Sequence, residues 1–207
     1  ARGRSLRADS YMFAPLVFGL DVARFGDDQS VLTKRRGLYA QELLKWRGLD
    51  TMTLAGIVAQ HIDRERPDAV FVDQTGIGAG VVDRLHQLGY GQVIGVDFGG
   101  AAGNSVLYAN KRTEMWCAVA DWLKNGGALP DDQELSDDLT GPQYGFTGDK
   151  GQIVLEKKAD MKKRGLASPD CGDALALTFA HPVVKQDDMR ARGQCKTDYD
   201  LWTWGRP

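Results

Sequence analysis

Cysteine and histidine are scarce: Cys117, Cys171 and Cys195 and His61, His86 and His181 are the only ones in 207 residues. An odd number of cysteines without CxxC spacing argues against a disulfide framework, and with so few histidines no zinc site is indicated. The compartment is therefore expected to be reducing. No apolar run reaches membrane-spanning length, and the arginine-bearing N-terminus "ARGRSLRADS" lacks the hydrophobic region of a signal peptide. A cytosolic protein without membrane contact is expected. An excess of positive charge is missing too. At a formal net charge of −2, any nucleic-acid contact must come from local basic patches. The chain opens without methionine, which points to a piece of something longer.

What is present suits one globular domain with short tails: 43% of residues are hydrophobic and 26% charged, enough to bury a core. Residues 1–13 read as an N-terminal extension and 14–182 as the domain. Beyond Pro182 the composition turns polar and unpatterned, so 183–207 is expected to be a mobile tail despite Trp202 and Trp204. Strand signals come first, in "LVFGLDVA", in "SVLTKRR" after the turn "RFGDDQ", and in "AQELLKW" after Gly37. They predict an antiparallel meander. The stretch "DTMTLAGIVAQHIDRERP" follows with Asp50 or Thr51 as cap and Leu54, Ile57, Val58 and Ile62 on one face, and Pro67 ends it. Then come a strand to Asp73, a helix over 78–88, a strand over 93–98 and a glycine-rich loop. "NKRTEMWCAVADWLKNGG" sets Met115, Val119, Trp122 and Leu123 on one helical face. The last third predicts a short helix in "DDQELSDDL", a hairpin turning at 148–151, and a buried helix in "SPDCGDALALTFAH" with Ser168 as N-cap and Pro169 at the first helical position. A meander followed by alternating α and β implies an α/β fold with a mixed sheet flanked by helices.

The stretch "VFVDQTGIGAG" at residues 70–80 has the look of a dinucleotide site, with Gly76, Gly78 and Gly80 after an apolar strand and Asp97 ending the next one. That fingerprint needs a third small residue, and this chain offers Val81 or Asp83. Asp73 would also repel a pyrophosphate unless a cation bridged them. A plain βα turn whose glycines permit tight packing stays open beside it.

Asp21 interrupts an apolar strand, Asp73 ends another, and Asp173 sits in the first turn of a buried helix. Each alone has an ordinary use, as a turn, a loop cap or a partner of the helix dipole. Yet a carboxylate withdrawn from water must be paired, protonated or bound to a cation. No arginine or lysine nearby in sequence serves all three. If the strands are neighbours and the helix abuts them, the acids converge, and such oxygen ligands suit Mg²⁺ or Mn²⁺. Two ions about 3.5–4 Å apart would activate a water and stabilise the leaving oxygen of a phosphodiester.

Taken in order, "FGLDVARFGDD", "VFVDQTGIGAG", "NKRTEMW" and "SPDCGDALALTF" resemble the nuclease domain of the large terminase subunit of tailed bacteriophages, over roughly residues 14–182. The resemblance implies a ribonuclease H-like fold and an endonuclease that cuts concatemeric double-stranded viral DNA during genome packaging, in the cytoplasm of the infected host. It implies Asp21, Asp73 and Asp173 as catalytic metal ligands for two divalent cations, with Asp170 auxiliary. It also implies a packaging ATPase domain, a small terminase subunit and a portal as partners. The chain has no GxxxxGK[ST] loop, so translocation does not carry over: the resemblance implies either the nuclease domain alone or a stand-alone relative.

For DNA contacts the basic run "KKADMKKR" supplies Lys157, Lys158, Lys162, Lys163 and Arg164, and the start of the Trp116 helix supplies Lys111 and Arg112. Such a run is equally well a solvated surface. The rival readings are a Holliday-junction resolvase of the same fold, marked by dimerisation, an actin-like or sugar-kinase-type phosphotransfer domain, marked by ATP binding, and an interaction module indifferent to metal.

Overall fold

The computed structural model describes residues 11–23 and 29–186. Most of the "RFGDDQ" turn, residues 1–10, and the tail bearing Trp202 and Trp204 lie outside them. In chain order come β1 (Leu16–Asp21), β2 (Ser30–Arg36), β3 (Tyr39–Ala40) and β4 (Leu44–Trp46), then α1 (Thr51–Glu65), β5 (Ala69–Asp73), α2 (Gly78–Gln87) and β6 (Val93–Val96). The remainder is α3 (Lys111–Lys124), α4 (Gln133–Thr140), β7 (Tyr144–Phe146), β8 (Ile153–Leu155), α5 (Lys158–Lys163) and α6 (Asp170–Leu177). The sheet order is β3-β2-β1-β5-β6, with β4 also on β2. The β1–β2 pair is antiparallel, and β1–β5 and β5–β6 are parallel. The expected mixed sheet is therefore present. No helix among the described residues is long and apolar enough to cross a membrane.

One expected strand is divided. "AQELLKW" forms β3 and β4 because Ala40 faces Arg35 while Leu44 faces Leu32. The edge chain has one residue more than β2 between those pairs, and the surplus is a bulge that breaks the ladder.

Alternation along β1 divides the core. Leu16, Phe18 and Leu20 pack with Val70 and Val72 against Leu54, Val58 and Ile62 of α1 and Val81 and Leu85 of α2. On the other face, Val17 and Phe71 meet Met115, Trp116 and Val119 of α3 and Leu175 of α6. Burial on both faces is why β1 and β5 read as near-continuous apolar runs. Asp50 caps α1, accepting from Met52 N and Thr53 N at 2.9 Å each, which satisfies two amides that the first turn leaves unpaired.

All eight residues of α6 are buried, and Gly19 makes its approach to the sheet possible. A Cβ on Gly19 would lie 2.1 Å from the Ala174 carbonyl oxygen, so any side chain there would push the helix away. The expected cap is corrected: Pro169, not Ser168, fills the N-cap position and offers no side-chain hydrogen bond. The first-turn amides are satisfied instead by Asp138 of α4. Past the boundary expected at 182, Val183 packs on the core and Gln186 N donates to Asp68 Oδ1 at 2.8 Å.

Candidate active site

The β1–β5 ladder pairs Leu20 with Val72, so the next step sets Asp21 beside Asp73 at the C-terminal ends of adjacent parallel strands. In-register neighbours share a face of the pleat. Here it is the face of Val17 and Phe71, against which α6 lies. Asp170 and Asp173 stand in the first turn of α6. The sequence thus brings four carboxylates to one edge of the sheet, all at most 9% exposed.

Their partners differ. Asp173, wholly buried, receives Arg112 Nε at 2.9 Å and the Trp116 indole N–H at 2.7 Å on Oδ1. Its Oδ2 lies 2.9 Å from the Lys158 ammonium. Lys158 also stands 3.5 Å from Asp21 Oδ2 and 4.0 Å from Asp170 Oδ1. Gln29 N donates to Asp170 Oδ2 at 3.0 Å. Asp73 Oδ1 accepts from Thr75 N at 2.9 Å.

Burial pushes the Asp21 carboxyl well above the usual range; Lys158 pulls it down, and Asp173, Asp170 and Asp73 push it further up. Burial likewise raises Asp73, against the lowering influence of Thr75 and Lys158. For Lys158, burial opposes the charge, but Asp21 and Asp173 outweigh it and hold the ammonium above its ordinary value. The site is short of positive charge, and Lys158 supplies part of it.

A hard cation fits this donor set: buried carboxylate oxygens with no thiol or imidazole among them. As arranged, however, no three or more His, Cys, Asp or Glu side chains among the described residues form a ready ligand group. The Lys158 ammonium lies among the carboxylates instead.

Of the residues read as DNA contacts, two point inward. Arg112 is 9% exposed, spanning Asp173 and the Glu156 carbonyl oxygen at 2.9 Å, and Lys158 faces the acids. Their helices carried the signal, since Arg112 shares the spacing of buried Met115, Trp116 and Val119, and Lys158 precedes buried Met161 by one turn. Lys111 pairs with Glu114 at 2.8 Å, Lys163 with Asp160 at 2.7 Å and Arg164 with Glu156 at 2.7 Å. Lys157, Lys162 and Lys163 are exposed. Asp97, which the nucleotide reading drew on, lines a cavity of about 430 Å³ together with Asp73, Thr75, Asn110, Lys157 and Lys158. A larger cavity of about 870 Å³ beside Arg36, Arg66 and Asp68 lies at the opposite end of the strands.

The glycine loop after Asp73 has a local explanation. Gly76 adopts φ +63°, and a Cβ on Gly78 would lie 1.7 Å from the Asp73 carbonyl oxygen. These glycines let α2 start directly against the strand end.

No family model matches the chain, and no curated protein matches it. Solved structures do. The nuclease domain of the large terminase subunit gp2 of bacterial virus Sf6 is similar at a TM-score of 0.72 and 20% identity, over 82% of this chain and 89% of that one. The large terminase nuclease from thermophilic phage G20c, with bound magnesium, is similar at 0.61 and 17%, over 86% and 85%. The Thermus phage P74-26 large terminase nuclease domain is similar at 0.57 and 16%, over 84% and 80%. With its mixed sheet, flanking helices and parallel β1–β5 pair, the chain has the ribonuclease H-like fold of phage large terminase nuclease domains.

Proposed function

We propose that this domain is a divalent-metal-dependent endonuclease for double-stranded DNA, acting as the nuclease of a phage large terminase subunit. The observation that carries this is the convergence of Asp21, Asp73, Asp170 and Asp173 at one buried edge of a terminase-like fold. The G20c nuclease is described with magnesium and with cobalt, and a variant of the Sf6 domain with manganese, which supports dependence on a divalent cation; that two Mg²⁺ or Mn²⁺ ions act together is part of the proposal. Asp21 and Asp73, with Asp170 beside them, would hold the cations; the oxygen that Asp173 would offer is Oδ2, now shared with Lys158. Bound there, such ions supply an activated water and stabilise the leaving oxygen.

The chain's own residues do the rest. Arg112 and Trp116 fix the Asp173 carboxylate from behind, and burial keeps bulk water from screening the acids. The scissile strand would lie along the cavity beside Asp73, with its phosphates toward Lys157, Lys162 and Lys163. Cleavage of concatemers, partnership with a packaging ATPase, a small terminase subunit and a portal, and action in the host cytoplasm belong to the same reading.

The test is incubation of supercoiled plasmid and of a branched junction with the protein in Mg²⁺, Mn²⁺ or EDTA. Metal-dependent nicking of plasmid is expected. Cleavage confined to the junction would favour a resolvase, and ATP binding without cleavage a phosphotransfer domain.

A further inference from the structure

The helix that carries Asp170 and Asp173 is held by residues remote in sequence. Pro169 offers no side-chain oxygen to the cap, and the amides of Cys171 and Gly172 donate instead to Asp138 Oδ2, at 2.8 and 3.1 Å, across 33 and 34 residues. Asp138 belongs to α4, whose N-terminal end is pinned to the sheet edge: Lys45 of β4 pairs with Asp132 at 2.7 Å and with Glu134 at 2.8 Å. Glu134 in turn accepts from the Gln29 side chain, and the Gln29 amide donates to Asp170. At the far end of α6, Arg35 of β2 donates to Thr178 O at 2.7 Å and Thr178 Oγ1 at 2.9 Å. An acid at the N-terminus and an arginine at the C-terminus each match the sign of the helix dipole.

Gly172 connects this cap to the acids. A Cβ there would lie 2.6 Å from Trp116 Cη2 and 3.3 Å from Asp138 Cβ, so Asp138, the first turn of α6 and the indole are packed without slack. The same indole donates to Asp173 Oδ1.

We propose that Asp138 is a positioning residue for the acid site: by accepting the two first-turn amides of α6 it sets the height and rotation at which Asp170 and Asp173 face Asp21. A cap supplied by the helix's own preceding residue would stabilise α6 without fixing it to anything else. A cap supplied by α4 also locates it. The consequence for catalysis rests on the nuclease reading, while the placement of the acids can be measured without it.

The experiment follows the indole ¹H–¹⁵N resonance of Trp116 in the full chain, identified by its loss in Trp116→Phe, alongside the Mn²⁺ dependence of plasmid nicking. Asp138→Ala should move the resonance and raise the Mn²⁺ concentration for half-maximal nicking by about tenfold, the scale of lost support behind a metal ligand. Asp138→Asn should restore both, because its amide oxygen accepts the same two N–H groups. A merely stabilising cap would lower the melting temperature and leave the resonance in place, and that result would overturn the proposal. Should Asp138→Ala not fold, Asp138→Glu moves the oxygen by one methylene, and an unshifted resonance there overturns it equally. If wild type neither cleaves nor responds to Mn²⁺, the nuclease reading fails and the resonance still decides the role of Asp138.

Discussion

The Lys158 ammonium stands 2.9 Å from Asp173 Oδ2, a lysine from a surface-like basic run set against the most buried acid of the site. With Asp21 and Asp170 also near it, Lys158 compensates charge that the aspartates would otherwise repel among themselves. Lys158→Met should destabilise the metal-free protein by about 1–3 kcal/mol, between the values for surface and buried pairs, since this side chain is 35% exposed. Mn²⁺ should then raise the melting temperature of the variant more than that of wild type. Thermal melts with and without Mn²⁺ check both; an unchanged metal-free melt would remove Lys158 from this role.

Asp73 and Asp173 should respond oppositely to the same substitution. Burial raises Asp73, whose carboxylate accepts from Thr75, so Asp73→Asn should leave the metal-free protein as stable or more so, and abolish the Mn²⁺ response and nicking. The sequence alone suggests the same for Asp173→Asn, through relief of crowding. The structure reverses that expectation: Asp173 satisfies Arg112, Trp116 and Lys158, and neutralising it strands a buried guanidinium at a cost of about 3–5 kcal/mol. Denaturant melts of the two variants in EDTA compare them directly.

DNA affinity should separate exposed lysines from inward cations. Replacing Lys157, Lys162 and Lys163 by alanine should weaken binding and flatten its salt dependence, by roughly 0.9 in log–log slope for each phosphate no longer neutralised. Arg112→Gln should reduce stability and leave that slope unchanged, because Arg112 is 9% exposed and committed to Asp173. Titrations at several salt concentrations measure both. An unaltered slope in the lysine variant would mark that run as solvated surface.

Asp138 also predicts a pH dependence. Burial pushes its carboxyl up to about 7; the Gly172 and Cys171 amides act downward, and Asp170 and Glu134 upward. The unfolded value is about 3.9, so between roughly pH 4 and 7 the native state holds a proton that the unfolded chain releases. The contribution is complete below that window and lost as pH rises through about 7. Relative to Asp138→Asn, metal-free wild type should therefore lose stability across the window and level off above it. Melts of both proteins from pH 4 to 8 test this, and a pH-independent difference would contradict it.

The parts of this architecture that depend on burial pattern were readable in the sequence. "SVLTKRR" is β2 residue for residue, and β1 and β5 announce themselves because both their faces are covered. The acids at their ends stood out because apolar strands seldom tolerate them. Side-chain direction was harder. A lysine in a run of lysines has the same composition whether it faces water or an acid cluster, and only the turn shared with Met161 tells Lys158 apart. Arg112 follows the same rule through Trp116. The role of Asp138 had no local signature, because its partners lie more than thirty residues away. The bulge between β3 and β4 depends on a register that "AQELLKW" does not encode by itself.

The parallel pairing of β1 with β5 fixes when the site can exist during synthesis. Asp21 meets Asp73 only after α1 and the whole of β5 have emerged, and Asp173 lies a hundred residues further on. Closing loops of this length costs entropy before any contact rewards it. A nascent or truncated chain thus carries scattered aspartates and no assembled edge. If the domain cuts DNA as proposed, competence to do so waits until nearly the entire domain is made.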